Sequence, residues 1–152
     1  MIRTDQEYKE AVKRRDAEKK QIEDYRKQLK KQGISKDMIN KAIQPYESFR
    51  LQLVEEIEGY ERIRRGVIHD IYNLSGIGQR LIGIRIYLGI SQRELAHRLG
   101  VHETQVSRDE KNEYHGITVE RVEEILIAFG VKMKSSFDVP APKTETDEKR
   151  KC

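Results

Sequence analysis

The chain has 152 residues, 36% of them hydrophobic and 37% charged, which excludes one large core and points to long exposed helices as the use for so much Lys, Arg and Glu. Its formal net charge of +4 favours a polyanionic partner without requiring one. No apolar run approaches the ~18 residues of a membrane span, so a soluble, cytoplasmic protein is expected, and the single cysteine, Cys152, rules out an intrachain disulfide.

Residues 1–66 read as a charged, amphipathic helical region. From residue 3 to residue 31 there is no Gly or Pro, and eleven Lys/Arg are mixed with seven Asp/Glu. That mixture suits a solvated helix laced with i,i+4 ion pairs. Tyr8 and Val12 are sparse apolar points, and the spacing of Ile22, Tyr25 and Leu29 marks one narrow stripe for a neighbouring helix. Gln32, Gly33 and Ile34 end it. Ser35, with Asp37 in the following turn, is placed to N-cap a second helix whose apolar face is Met38, Ile39, Ala42 and Ile43. Pro45 is expected to break or kink that helix, because proline has no N–H to donate. Tyr46, Phe49, Leu53, Ile57 and Tyr60 then recur at helical spacing, with Val54 and Ile63 widening the stripe. This stripe needs a partner, and the first helix folding back is the nearest one.

Residues 67–76 change texture, with Val67, Ile68, Ile71, Tyr72 and Leu74 crowded between glycines, and read as a docking linker. Ser75 offers an N-cap for a helix over 77–88 with Leu81, Ile84 and Leu88 facing inward. Ser91 can cap the next helix, with Glu94 as capping-box partner and Leu95, Ala96 and Leu99 as its apolar face. Gly100 ends that helix and Val101 returns the chain to the core. In the helix that follows at once, Val106 is the one apolar residue pinning the inner face. Glu103, Thr104, Gln105, Ser107, Arg108 and Lys111 are free to project outward, so this helix is built to be read against something. Residues 114–117 form a loop, and Thr118 caps a closing helix built on Val122, Ile125, Leu126 and Phe129 and ended by Gly130.

Residues 131–139 alternate apolar and polar up to Ser135 and Ser136 and resume at Phe137, the pattern of one short β-strand. A single strand has unpaired edges, most economically satisfied by the same strand of a second copy across a two-fold axis. Val131, Met133, Ser135 and Phe137 are then the dimer contacts, with Met133 and Phe137 against the closing helix. Residues 140–152 have the composition of a disordered tail. The fold expected is mainly helical: a helical hairpin or arm, a five-helix unit over 77–130, and one short C-terminal strand.

No enzymatic arrangement is legible. There is no nucleophile beside a base, no paired carboxylates in an apolar setting and no phosphate-cradling glycine loop. His69, His97, His102 and His115 have no metal-ligand spacing, so neither metal nor cofactor is expected.

Arg85, the run from Gly89 to Gln92, Leu95 with Ala96, the run from Leu99 to Val101, Val106 with Ser107, and Glu110 stand in one register. That register resembles the Cro/repressor-type (XRE family) helix-turn-helix DNA-binding proteins, over roughly residues 77–131. The sequence departs from the family at Asp109, where an apolar residue is usual. The resemblance implies a lambda-repressor-like domain binding double-stranded DNA. It also implies that Arg85 pairs with Glu110 across two helices. Gln92 and His102, at helix N-termini, are expected on phosphates. Glu103, Thr104, Gln105, Ser107 and Arg108 are expected on base edges, Arg108 suited to guanine, Gln105 to adenine and Glu103 to cytosine, with Lys111 at the same surface. The helical front half ending in Glu58, Gly59, Tyr60 and Glu61, taken with the terminal strand, resembles the HigA-like antitoxins of type II toxin–antitoxin pairs. In that resemblance a homodimeric repressor reads a palindromic operator and the front half binds a toxin protein. Two other readings stay open: a plain phage-type repressor without a protein partner, and a helical scaffold that binds no DNA. The scaffold reading draws on local charge, because Arg93, Arg98, Arg108 and Lys111 are outnumbered by Glu94, Glu103, Asp109, Glu110 and Glu113.

Overall fold

The structure is a computed structural model that describes residues 1–68 and 74–138. Among the described residues six α-helices follow one another: α1 (Asp5–Lys31), α2 (Lys36–Arg64), α3 (Ile77–Tyr87), α4 (Gln92–Leu99), α5 (Glu103–Lys111) and α6 (Val119–Phe129). The chain is all-α among the described residues.

α1 starts where the Thr4 hydroxyl accepts from the Glu7 N–H at 3.1 Å, with Asp5 and Glu7 at the positive end of the helix dipole. It reverses into α2 through Gly33, whose φ of +77° is a left-handed value that glycine takes without strain. Ser35 occupies the N-cap position of α2 but makes no side-chain cap bond. α2 continues through Pro45, so of the expected break or kink the break does not occur. Proline there removes one hydrogen bond to the carbonyl of Lys41, and both residues are exposed, so water takes the donor's place.

α1 and α2 pack as a hairpin with two separate apolar contacts. At the turn end, Ile22, Ile39 and Ile43 bury one another with Leu29 and Ile34 beside them. At the other end, Ile57 and Tyr60 of α2 join the core of the C-terminal helices, and Tyr8, Ala11, Val12 and Leu53 pack against it. The α2 stripe is therefore only half covered. Tyr46 and Phe49, expected on the packed face, are 56% and 66% exposed, and Met38 is exposed with them.

Four helices, rather than five, make up residues 77–130. The fifth contribution to their core is the end of α2, which packs on α3. Gly76, with φ +75°, holds the N-cap position of α3 in place of the expected Ser75. α3 buries Leu81, Ile82, Arg85 and Ile86, whereas Leu88, expected to face inward, is 41% exposed. The reason is that Gly78, Leu81, Ile82, Arg85 and Ile86 form the row that meets α2, α6 and the turn after α5. Ser91 accepts from the Glu94 N–H at 3.0 Å, but the Glu94 carboxylate turns to Arg98, so only half of the capping box forms. Thr118 caps α6 by accepting from the Arg121 N–H at 3.2 Å.

The strand expected over 131–139 is not formed in the single chain. Residues 131–138 carry no ladder and Phe137 is 87% exposed, away from α6; an isolated strand has no partner for its N–H and C=O groups within one copy. Val139, the expected tail over 140–152 and the 69–73 part of the expected linker lie outside the described residues. No described helix is long and apolar enough to cross a membrane.

Candidate nucleic-acid interface

α5 is held from beneath. Val106 and Glu110 are its buried residues, and Glu110 is wholly sealed from solvent. A bare carboxylate there would be costly, and Arg85 of α3 supplies the counter-charge. The Arg85 guanidinium donates from Nε to Glu110 Oε1 at 2.5 Å and from Nη2 to Oε2 at 2.6 Å, the two-point geometry that suits a carboxylate. It also donates to the carbonyls of Ile90 at 2.9 Å and Arg3 at 3.0 Å. Gln92 adds a third bond to the carboxylate, from Nε2 to Oε2 at 2.8 Å. Gln92, expected on a phosphate, thus spends one amide N–H inward on this carboxylate and is half-buried.

With Val106 and Glu110 facing in, a step of about 100° per residue puts Thr104, Arg108 and Lys111 on the opposite arc and Ser107 at its flank, while Glu103 lies on the inner side at the open first turn. All five are exposed, and Gln105 is half-buried at the edge of the arc. His102 sits at the N-cap of α5, where its Nδ1 accepts from the Thr104 N–H at 3.3 Å and lies 2.9 Å from the Thr104 hydroxyl. The exposed arc and the N-cap are therefore contiguous. Val119 and Ile127 of α6, and Met133 in the segment after it, are also exposed.

Burial changes the charge balance counted along the sequence. Glu110 is neutralised by Arg85, and Glu94 is bonded to Arg98, whose guanidinium also donates to the Ala128 carbonyl at 2.8 Å. Among the described residues, Arg93, Arg108 and Lys111 are in no ion pair, nor are Glu103, Asp109 and Glu113, which leaves three cations against three carboxylates. The acidic excess that favoured a scaffold is thereby removed from the exposed arc.

The far end of α5 is closed by residues the sequence did not single out. The chain leaves the helix through Glu113 and Tyr114, both left-handed, at φ +51° and +54°. Tyr114 folds into the core beside the helix end and supplies the apolar cover that Asp109 cannot. Its burial pushes the hydroxyl well above its ordinary ionisation range, with the Glu110 charge adding to the effect. Gly78 makes this approach possible: a Cβ there would stand 1.8 Å from the Glu113 carbonyl oxygen.

The helix-turn-helix family model matches residues 84–134, which runs from the middle of α3 past the end of α6. This segment is a helix-turn-helix domain of the Cro/repressor (XRE) type. In a helix-turn-helix the second helix is the reading helix and the first supports it; by order in this segment these are α5 and α4. The match covers about a third of the chain and leaves α1 and α2 outside it. No curated protein and no solved structure matches the chain. Among the described residues, no group of three His, Cys, Asp or Glu is placed to hold a metal ion.

Proposed function

We propose that this DNA-binding regulator is a cytoplasmic transcriptional repressor that reads a palindromic operator as a two-fold dimer, with the α1–α2 hairpin as the binding region for a toxin protein. The observation that carries the DNA reading is the exposed arc of α5. It holds Thr104, Ser107, Arg108 and Lys111 away from the core, next to a helix N-terminus, while the buried Arg85–Glu110 pair fixes its direction. Helix N-termini favour phosphate and outward polar side chains reach base edges, which supports the division between His102 and the α5 residues. The row formed by Met38, Tyr46 and Phe49 with Tyr25 supports a protein partner on the hairpin. Tyr25 and Tyr46 meet edge to face with centroids 6.0 Å apart beside Phe49, a contiguous aromatic surface of the kind enriched at interfaces.

The test has two arms. Footprinting on the genomic region around the gene should protect two half-sites about 34–36 Å apart, with affinity falling steeply as salt rises. Protection without dependence on sequence, or none at any salt, rejects the operator. Co-expression with the product of the adjoining gene should then give a complex that Tyr46→Ser with Phe49→Ser abolishes while DNA binding persists. A neighbour that forms no complex leaves a plain repressor.

A further inference from the structure

The first residues of the chain reach the reading helix. Ile2 is buried in the same core as Val106, Leu81 and Ile125, at 5% exposure. Arg3 then makes two contacts across that core. Its Nη1 donates to the backbone carbonyl of Glu110 at 3.2 Å, and its own carbonyl accepts from Arg85 Nη2 at 3.0 Å. A cation at the C-terminal end of α5 is on the favourable side of the helix dipole. The carbonyl of Arg3 matters as much. Arg85 is 3% exposed, and four of its five N–H donors are matched: two to Glu110, one to Ile90 and one to Arg3. Without Arg3 a second donor of a buried cation is left unmatched, next to the pair that orients the reading helix.

The other side of this arm is tied to the hairpin. Asp5 accepts from the Tyr60 hydroxyl at 2.8 Å and from Arg64 Nη1 at 3.3 Å, and the Tyr8 ring stacks on Tyr60 with centroids 5.1 Å apart. Residues 2–5 therefore bridge α2 on one side and α5 on the other.

We infer that residues 2–5 are a positioning arm for the reading helix, with Arg3 its principal residue: by bonding Glu110 and completing the shell of Arg85 it sets how firmly α5 is held for DNA. Arg3 acts through α5, while Asp5 keeps the arm in place. The operator part of the inference rests on the DNA-reading proposal; the effect on α5 does not.

The experiment uses the full chain with Arg3→Ala, Arg3→Lys and Asp5→Asn. Amide hydrogen exchange is read without DNA, and binding is read on a duplex selected from a random pool by the unaltered protein and on a mixed-sequence duplex. In Arg3→Ala, the amides of Asn112, Glu113 and Tyr114 should exchange about tenfold faster while those of α6 are unchanged. Affinity for the selected duplex should fall about tenfold with the slope against salt unaltered. Arg3→Lys retains a cation and a donor and should recover most of both losses, and Asp5→Asn should reproduce them in weaker form with Arg3 intact. Unchanged exchange at the end of α5 overturns the inference. A salt slope lowered by about one also overturns it, since Arg3 would then be touching a phosphate itself. A chain that selects no sequence, yet shows the exchange effect, removes the operator proposal and leaves the arm.

Discussion

Arg85 and Glu110 join α3 to the reading helix through a pair almost sealed from water, with side chains 4% and 0% exposed. Burying both charges is costly, but stranding one is costlier. Arg85→Met or Glu110→Leu alone should each destabilise the fold by about 3–5 kcal/mol. The double variant should lose less than the sum, though not become neutral, because Gln92 and the carbonyls of Ile90 and Arg3 lose partners with the pair. Urea unfolding of the four proteins checks this. A single-variant cost of about 1 kcal/mol or less would place the pair among solvated ones.

Gly78 lies where α3 meets the backbone leaving α5. A methyl group there cannot coexist with the Glu113 carbonyl at 1.8 Å, and the obstacle is backbone, which has no rotamer to change. Gly78→Ala should cost about 1–3 kcal/mol and displace the turn that Tyr114 anchors. The measurement is a melting curve together with amide chemical shifts around Tyr114. Gly130→Ala is a useful contrast, since it meets no atom within 4 Å and tests only the strain of φ +69°.

Tyr60 gives the fold an alkaline limit. Burial first, and the hydrogen bond to Asp5 second, push its hydroxyl from 10.0 to about 12. Through this interval the unfolded chain has given up a proton that the folded chain keeps, so the stabilisation present below about pH 10 is lost as pH rises toward about 12. Tyr60→Phe should show a shallower fall in urea midpoint across that window than the unaltered chain. Tyr114 shifts in the same direction, so a residual fall persists in the variant. Equal slopes in both proteins would mean that Tyr60 ionises alike in the folded and unfolded states.

How much of this was legible follows from where each signal resides. Gly100 and Gly130 close α4 and α6 in left-handed backbone, and Thr118 caps α6, because these are local effects within one turn of the chain. The half-covered stripe of α2 was not legible, since periodicity marks an apolar arc but not which part of it a neighbour covers. Met38, Tyr46 and Phe49 satisfy helical spacing as well as Ile39 and Ile43 do, yet only the isoleucines are buried beneath α1. Nor was Arg3 legible: one Arg among eleven basic residues carries no mark of reaching a helix 107 positions away. Arg98 was legible only as one cation in the local charge count, and the packing of α4 on α6 shows it bound to the Ala128 carbonyl.

Arg108 stands on the exposed arc of α5 in no ion pair among the described residues. If it reads a base edge, Arg108→Ala should cost about 1–3 kcal/mol on the selected operator and little on mixed-sequence DNA. Titration of both duplexes at matched salt separates the cases. Equal losses on the two would make Arg108 a phosphate contact.

The final prediction concerns residues 131–139. In the single chain residues 131–138 follow α6 without a strand partner, and Met133 and Phe137 are exposed, as are Val119 and Ile127 of α6. One copy offers a single reading helix with five exposed polar residues along it, too few to discriminate an operator strongly. Two copies on a two-fold axis double the readout and require half-sites about 34–36 Å apart. An alternating segment that pairs with itself satisfies its own backbone groups and removes Phe137 from water in the same step. Met133→Pro or Ser135→Pro deletes a ladder donor without touching the helices. Each should shift the mass in solution from dimer toward monomer and weaken operator binding, while the helical signal and melting of the α3–α6 unit stay as they were. Light scattering and a titration on the operator read both effects. If the proline variants stay dimeric and bind normally, the two copies are joined elsewhere, and the exposed row on α2 formed by Met38, Tyr46 and Phe49 becomes the surface to mutate next.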